Sequence, residues 1–254
     1  PRGMGQWKSV LVLILFVSSS LAGCLESSVD EAMIDFVVEY ESDSGVVIET
    51  YVDGERISLE EVEVEFDFSK TTSSPAIETY GLESMDGTET ITVDAGVASS
   101  LTYAFDEHGI HNVTLFAVDA SGVKTSQMVS IRVDLRIDWS EAKTNDPAVL
   151  PFNPTPNNGG IHPIAIEIES TVENPSLIDG IGGGGQTVEF SWNIVDELDD
   201  TCQSKGGTAE DGGEDTWQTI HFNTYLLHEL RIIPEEGQDY LNIQQTVSVL
   251  YSSD

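Results

Sequence analysis

The chain has 254 residues, with 45 acidic against 10 basic side chains and a formal net charge of −35. This balance argues against a protein that binds nucleic acid by neutralising phosphates, which requires a basic surface, and against docking on anionic lipids through charge. Hydrophobic residues make up 39% of the chain, which is enough to build folded cores despite the charge.

The N-terminus has the pattern of a secretory signal peptide. A short cationic start precedes the apolar run VLVLILFV at residues 10–17, which is too short to span a bilayer comfortably. The tetrapeptide Leu21-Ala22-Gly23-Cys24 then resembles a prokaryotic lipobox. This resemblance implies cleavage before the cysteine and a diacylglycerol thioether on its sulfur. An ordinary cleaved signal with a coincidental cysteine, or a plain anchoring helix, is the alternative.

The lipobox divides the start of the chain into two functional segments. We expect residues 1–23 to be a signal peptide and residues 24–32 a lipid-anchored tether. Two acyl chains hold a protein at a membrane far more stably than one. No later stretch approaches the length of uncharged apolar sequence that a transmembrane helix needs. We therefore expect the body to lie outside the cytoplasm, held to the cell membrane or envelope by lipid.

The remaining chain has the pattern of β-strands throughout. Short runs rich in β-branched and aromatic residues alternate with turn residues, and no long stretch carries an apolar stripe of helical period. An Asp53-Gly54 turn follows the second predicted strand. Strands are predicted at residues 34–40, 46–52, 62–68, 90–93, 100–105, 111–118 and 127–135, and after a Pro-rich loop at 164–170, 187–195, 216–222, 229–233 and 243–251.

The strand spacing and turn chemistry predict an all-β protein of two tandem Ig-like antiparallel β-sandwiches. The first is expected at residues 33–137 and the second at 138–254, and the strand at the boundary is expected to run directly into the second sandwich. Two insertions are predicted in the second sandwich. They are a flexible glycine run at 180–185 and an acidic loop at 199–215.

Part of the first sandwich resembles a PKD domain, an Ig-like β-sandwich common in bacterial and archaeal surface proteins. The segments that carry the resemblance are FDFSKTTS at 66–73, IETY at 77–80, MDGT at 85–88, LTYAFDEHGIHNVTL at 101–115 and VDASG at 118–122. The resemblance covers roughly residues 62–133, and LESM at 82–85 departs from the usual Trp, Asp, Phe and Gly. In the second half, FSWNIV at 190–195 is similar to a sandwich strand with a buried tryptophan, Trp192.

Acidic clusters in the second half offer the hard oxygen ligands that Ca²⁺ prefers. They lack the spacing of an EF-hand, and solvated acidic loops are the alternative reading. Apart from this Ca²⁺ hypothesis, no cofactor is expected. The candidate ligands are Asp196, Asp199, Asp200, Asp211 and Asp215.

Histidines, a second cysteine and a glycosylation pattern are the other chemistry-bearing features. His221 and His228 could flank a hairpin and converge, but no cysteine or glutamate motif accompanies them, so the five histidines are predicted to be solvated or turn residues. Cys202 is either an incidental loop cysteine, which we favour, or a reactive thiol or intermolecular disulfide partner. Asn112 begins an N-glycosylation acceptor pattern and is a candidate for modification.

The sequence contains no recognised nucleophile elbow, zinc-protease motif or phosphate-binding loop. We therefore expect a non-catalytic, lipid-anchored cell-surface protein that acts as an adhesion, binding or spacer module. Its expected partners are the membrane, through the lipid, and a surface glycan or protein, with no nucleic acid. The alternative is an accessory subunit that positions a partner in a surface enzyme or transporter complex. Because all 45 acidic residues follow Gly23, the chain also predicts a marine or halophilic source, where salt screens the repulsion.

Overall fold

A computed structural model describes residues 34–85, 90–176, 185–235 and 240–252. No helix occurs in these parts of the chain, and the predicted all-β fold class is confirmed. The strands are β1 (Ser44–Val52), β2 (Glu55–Glu60), β3 (Val62–Asp67), β4 (Ile77–Ser84), β5 (Thr90–Asp94), β6 (Ser100–Phe105), β7 (Gly109–Asp119), β8 (Lys124–Thr144), β9 (Leu150–Phe152), β10 (Ala165–Glu173), β11 (Val188–Asp196), β12 (Thr201–Ala209), β13 (Glu214–His221), β14 (His228–Pro234) and β15 (Leu241–Leu250).

The described strands form one large sheet and two smaller ones. The large sheet has nine strands, seven of them in the order β13-β10-β15-β8-β7-β4-β5. Its other two strands are β1, which pairs in parallel with β8, and β2, which forms a hairpin with β1 across the predicted Asp53-Gly54 turn. The smaller sheets are β12-β11-β14-β9 and the pair β3-β6.

Each half of the chain packs a smaller sheet against the large one. In the first half, Phe68, just after β3, stacks on Tyr80 of β4 with 4.8 Å between ring centroids. In the second half, the indole N–H of Trp192 on β11 donates a 2.8 Å hydrogen bond to Ser170 Oγ on β10. Phe68 and Trp192 are fully buried, as is typical of the centre of a β-sandwich, and the prediction of a buried Trp192 is confirmed.

The strand β8 belongs to both halves. It has 21 residues, and at about 3.3 Å per residue it extends for roughly 70 Å. Its first part pairs with β7 up to Val133, and its second part pairs with β15 from Leu135. The boundary predicted at 137/138 falls inside this strand, and contacts group Ile34–Asp254 into one compact unit. The assignment of the two halves as separate domains stays a prediction.

The segment at 34–40 was predicted as a strand, and it is instead extended chain with two isolated bridges, at Asp35 and Glu39. Between the two bridges, the side chain of Thr71 takes the place of a partner strand. The hydroxyl of Thr71 accepts a hydrogen bond from the Val37 amide at 3.0 Å and donates one to the Val37 carbonyl at 2.7 Å. Both backbone polar groups of Val37 are therefore hydrogen-bonded without a paired strand.

The stretch at 199–215 was predicted as an acidic loop, and most of it is β-strand. It contains all of β12 and the start of β13, so Cys202 lies in a strand rather than in a loop. The inward positions of β12 are Gln203, Lys205, Gly207 and Ala209, and the two fully buried ones are small because the large rings of β11 fill the space beneath Gly207. A Cβ atom on Gly207 would lie 2.4 Å from a ring carbon of Phe190 and 2.5 Å from one of Trp192. The strand consequently lacks the alternation of large apolar residues that predicts β-structure.

Candidate functional site

The predicted anchor residues lie outside the described parts of the chain. Leu21, Ala22, Gly23 and Cys24 all precede the first described residue. Most of the glycine run at 180–185 is outside them as well. Within the described residues, no helix is long and apolar enough to cross a membrane. The signal peptide and the lipid anchor stay predictions.

The first group of predicted Ca²⁺ ligands stabilises the turn between β11 and β12. Asp196 Oδ1 accepts hydrogen bonds from the amides of Leu198 at 2.9 Å and Asp200 at 3.1 Å. Asp199 accepts a 2.9 Å hydrogen bond from Arg231 Nη1 on β14. These carboxylates are therefore engaged in fixing a turn and in pairing with an arginine.

The second group lies beyond the other end of β12. Asp215 accepts hydrogen bonds from Lys205 Nζ and from the Thr208 amide, both at 3.3 Å. Asp211 accepts one from the Gly185 amide at 3.3 Å. The five predicted ligands thus occupy two separate turns, and in the described parts of the chain no three carboxylates form a metal-ligating group. Ca²⁺ binding stays a prediction.

Asn112 and three of the histidines lie where a strand or turn places them at the surface. Asn112 is exposed on β7, and its glycosylation stays a prediction. His108, His111 and His162 are half-buried. A ring nitrogen of each lies within hydrogen-bond distance of a backbone carbonyl, at 3.1 Å, 2.9 Å and 3.1 Å respectively.

The other two histidines contradict the prediction of solvated or turn residues. His221 is only 5% exposed and His228 is fully buried, because both lie between the two sheets of the second half. They converge with Cys202, and we call these three residues the Cys-His cluster. Its sulfur and one ring nitrogen from each histidine all lie within 4.8 Å of one another. The sequence indicates that the two histidines could converge, but it does not predict the third donor, because Cys202 falls in a stretch predicted as a loop.

The fold brings the cluster together from three strands. Cys202 lies on β12, His221 ends β13 and His228 begins β14. The side chain of Gln203 links β12 to β13, which belong to different sheets. Its amide nitrogen donates to the Ile220 carbonyl at 3.1 Å, and its oxygen accepts from the Thr219 hydroxyl at 2.8 Å. The cluster therefore sits where the edge of the large sheet meets the four-stranded sheet.

Each buried histidine has one ring nitrogen engaged and one without a partner. His228 Nε2 donates to the Asn223 carbonyl at 2.8 Å, and His221 Nδ1 lies 3.4 Å from the side-chain nitrogen of Gln203. Among the described residues, neither His228 Nδ1 nor His221 Nε2 has a hydrogen-bond partner. Burial lowers the pKa of both rings, and the repulsion that would arise if His228 were also protonated lowers the pKa of His221 further. Both imidazoles are therefore neutral at pH 7.

The thiol of the cluster is held in its protonated form. Partial desolvation of the sulfur and the nearby Asp196 carboxylate raise the pKa of Cys202, although the residue as a whole is exposed. Asp196 Oδ2 lies 3.9 Å from the Cys202 sulfur. Because the thiolate is the nucleophile in cysteine chemistry, a raised pKa disfavours the reactive-thiol alternative considered for this residue.

A second candidate site is an open groove where the two halves meet. We call it the junction groove. It has a volume of about 490 Å³ and lies between the β1–β2 hairpin, the turn at 106–108 and β9. Its floor is apolar, and its rim is polar. The floor includes Val47, Leu135, Ile137 and Phe152, which are almost fully buried, and its accessible apolar surface comes from Leu59, Pro151 and Leu227. The rim includes Glu49, Arg56, Asp106, Glu107, Asn153 and Asn157.

Several polar side chains of the rim are already fixed in position. The ring of Tyr51 stacks on Trp139, with 5.4 Å between centroids. Its hydroxyl donates a 2.8 Å hydrogen bond to Glu49, which also accepts one from Arg56 at 3.2 Å. Burial and the Glu49 carboxylate raise the pKa of Tyr51 to about 12. The groove therefore presents the fixed ring of Tyr51 and a preformed ion pair between Glu49 and Arg56.

His108 at the groove has both of its ring nitrogens engaged. Nε2 lies 3.1 Å from the Asn153 carbonyl and Nδ1 lies 2.8 Å from the Tyr251 hydroxyl. Because a carbonyl only accepts, Nε2 carries the hydrogen and Nδ1 accepts from the tyrosine. Burial lowers the pKa of His108, which keeps the ring neutral. This histidine connects the first half to β9 and the end of β15.

No family model matches the chain, and no curated protein matches it. Similar solved structures include one described as carbohydrate-binding modules of the β-sandwich superfamily. It is 12% identical with a TM-score of 0.31, covering 87% of this chain and 93% of that one. A protein of a Bacteroides ovatus mixed-linkage glucan utilization locus, solved with a mixed-linkage heptasaccharide, is 11% identical with a TM-score of 0.22, covering 81% and 52%. A Bacteroides uniformis β-glucuronidase is 9% identical with a TM-score of 0.28, covering 86% and 30%.

The last two comparisons cover only part of the matched structures. This chain spans about half of the Bacteroides ovatus protein and less than a third of the β-glucuronidase. At these identities and TM-scores, no functional residue of this chain is assigned from the likeness. The candidate sites rest on their own geometry.

Proposed function

We propose that the chain is a non-catalytic, lipid-anchored cell-surface module that binds a neutral glycan in the junction groove. The observation that supports this proposal is the composition of the groove, with an apolar floor beneath a rim of planar polar side chains. A pyranose has an apolar face of C–H groups and an edge of hydroxyls, which match such a floor and rim. The volume of about 490 Å³ lies within the usual range for small-molecule sites.

The shared strand supports binding by holding the groove rigid. The floor takes Leu135 and Ile137 from the middle of β8, where β1 pairs on one edge and β15 on the other. The turn at 106–108 and β9 are joined across the groove through His108. A preformed site loses less conformational freedom on binding than a flexible one.

The engaged side chains support a binding role rather than catalysis. A general acid or base needs a titratable group free to exchange a proton with the substrate. His108 is occupied at both nitrogens, and Glu49 is occupied by Tyr51 and Arg56. The groove therefore offers positioned hydrogen-bonding groups without a free proton donor among these residues.

The net negative charge of the rim favours neutral glycans over anionic ones. Glu49, Asp106 and Glu107 face a single cation, Arg56, around the rim. An anionic sugar would meet net negative charge, and like charges across an interface oppose binding. We therefore propose neutral glycans as the ligand class. The same acidity over the whole chain is the reason that attachment to a membrane is assigned to lipid on Cys24 rather than to charge.

A glycan array probed with the full chain tests this function, followed by calorimetric titration of the best neutral oligosaccharide. Arg56→Ala removes a rim cation that is half exposed. Because a hydrogen bond to a charged group contributes about 1.5 to 3 kcal/mol, we expect affinity to fall by roughly 10-fold or more. Arg136→Ala is the matched control, since Arg136 is equally exposed and paired with Asp138 but does not line this groove.

The outcome that contradicts the proposal is an array without a neutral glycan hit, or equal affinity in the Arg56→Ala and Arg136→Ala variants. A pull-down from solubilised membranes distinguishes the accessory-subunit alternative. Recovery of one stoichiometric protein partner together with an empty array would favour that alternative over glycan binding.

A further inference from the structure

We propose that the Cys-His cluster binds a divalent transition-metal ion of the Zn²⁺ class. None of its three described side chains lines the junction groove, although the His228 ring packs on Phe152 of the groove floor with 5.5 Å between centroids, so the two sites use different residues. The cluster consists of one sulfur and two imidazoles drawn from three strands. Its residues form no recognised motif, and Cys202 joins the two histidines only through the fold.

The donor set determines the class of metal. Thiolate and imidazole are the ligands of Zn²⁺ and of copper, whereas Ca²⁺ and Mg²⁺ take oxygen ligands. One cysteine with two histidines provides three protein ligands. A fourth position is then left for water, with the Asp196 carboxylate 3.9 Å from the sulfur. Three protein ligands and an open position are a known arrangement for bound Zn²⁺.

The spacing of the donors is close to what a metal ion requires. With bonds of about 2.0 to 2.3 Å, a tetrahedral Zn²⁺ holds its ligand atoms roughly 3.3 to 3.8 Å apart. The three donors here all lie within 4.8 Å of one another. Binding would therefore draw the donors together by up to about 1 Å, and Cys202 is the exposed member of the three.

The two buried histidines supply an independent observation that points to a ligand. Among the described residues, His221 Nε2 and His228 Nδ1 are buried with no hydrogen-bond partner, although buried polar atoms in proteins are nearly always bonded. The opposite nitrogen of His228 donates to the Asn223 carbonyl. That hydrogen bond fixes the tautomer that leaves Nδ1 with a free lone pair, which is how protein metal sites orient their histidines.

Binding at this site needs no oxidant or other reactant. The ion forms one bond to sulfur and two to nitrogen, and the thiol proton is released to solvent. His228 Nδ1 already offers a lone pair, whereas His221 binds through Nε2 only after its ring hydrogen moves to Nδ1, which gives up the 3.4 Å contact with the Gln203 nitrogen. The bound ion would tie β13, at the edge of the large sheet, to β12 and β14 of the four-stranded sheet. We therefore expect the metal to raise the melting temperature.

Titration of Co²⁺ into the full chain carrying Cys24→Ser tests the site. Cys24 and Cys202 are the only cysteines, so in this background a thiolate-to-cobalt charge-transfer band reports on Cys202 alone. We expect the band to saturate at one equivalent, to disappear when Zn²⁺ is added, and to be accompanied by a higher melting temperature. Absence of the band, or a stoichiometry well above one, would overturn the proposal.

Three variants in the same background assign the ligands. Cys202→Ser changes an exposed side chain and should abolish the band with the fold intact. His221→Gln should weaken Co²⁺ binding by at least about 100-fold, since loss of even an outer-shell partner costs 10- to 100-fold. His111→Gln is the control and should leave binding unchanged. Retention of the band in Cys202→Ser contradicts the proposal, and this result decides the matter even if His221→Gln does not fold.

Discussion

At the scale of single residues, the adjacent glycines of β12 have opposite surroundings. A Cβ atom on Gly207 would overlap the rings of Phe190 and Trp192, whereas one on Gly206 would meet nothing within 4 Å. Overpacking a core typically costs 1 to 3 kcal/mol. We expect Gly207→Ala to lower the free energy of unfolding by about 2 kcal/mol and Gly206→Ala to change it by less than about 0.5 kcal/mol. Urea denaturation of both variants measures the difference, and equal effects would contradict the described packing of β12.

The Asp119 carboxyl should make the stability of the fold depend on pH. Hydrogen bonds from the Ser121 hydroxyl, and then from the amides of Val123 and Ser121, hold the pKa of the Asp119 carboxyl below its usual range. A lowered pKa in the folded state adds stability above the unfolded pKa of about 3.9, and this stability is lost as pH falls through the folded value. Protonation therefore weakens the turn after β7.

We expect the Asp119→Asn variant to be less stable than the natural chain at pH 7 and to lose less further stability below pH 4. Urea midpoints between pH 7 and pH 2 measure this dependence. Asp146→Asn, at an exposed position after β8, is the matched control and should follow the natural chain. Parallel curves for Asp119→Asn and the natural chain would contradict the assignment of Asp119 to this role.

At the scale of elements, we expect the two halves to unfold together because they share the strand β8. Around Arg136 this strand is paired with β1 on one edge and β15 on the other. Proline at this position removes an N–H from the ladder. We expect Arg136→Pro to cost roughly 3 kcal/mol, whereas Arg136→Ala should cost less than about 1 kcal/mol because the ion pair with Asp138 is exposed.

Fluorescence and far-UV circular dichroism followed through thermal unfolding measure this coupling. A single transition shared by both signals is expected in the natural chain and in both variants. Two separate transitions in the natural chain would show that β8 does not couple the halves.

The strands that the sequence predicts correctly are those with large apolar residues at alternate positions. β3 and β6 are examples, with buried Phe66 and Leu101 on their inward faces. β12 was missed because its inward positions are polar or small: Gln203, Lys205, Gly207 and Ala209. Residues 34–40 were predicted as a strand because the apolar pattern is present, but the hydroxyl of Thr71 takes the place of a neighbouring strand. Local pattern thus identifies a strand only where large side chains fill the core.

At the scale of the whole molecule, charge predicts that salt stabilises the fold. All 45 acidic residues follow Gly23, and only eight basic residues accompany them. The screening length falls from about 8 Å at 0.15 M salt to about 3 Å at 1 M, which weakens repulsion between surface carboxylates. We expect the melting temperature to rise with NaCl over this range and to level off near 1 M. A melting temperature that is indifferent to salt would contradict this expectation and the proposed saline source.

Both candidate sites depend on contacts between strands that the local sequence pattern does not predict. Each member of the Cys-His cluster is visible in the sequence, but Cys202 joins the histidines only because β12 is a strand lying beside β13. The junction groove depends on the parallel pairing of β1 with β8, which joins residues about 90 positions apart. Such pairings follow from the packing of the whole fold rather than from any local pattern.

Hydrogen exchange of the full chain, with and without the neutral oligosaccharide selected on the array, tests the central claim most directly. If the chain binds glycan in the junction groove, the ligand should protect the backbone that surrounds this groove. We predict slower exchange on ligand addition at β1, at the turn 106–108 and around β9, with no change at β5 or β12. Unchanged exchange at the groove, or protection only at strands remote from it, would contradict the account.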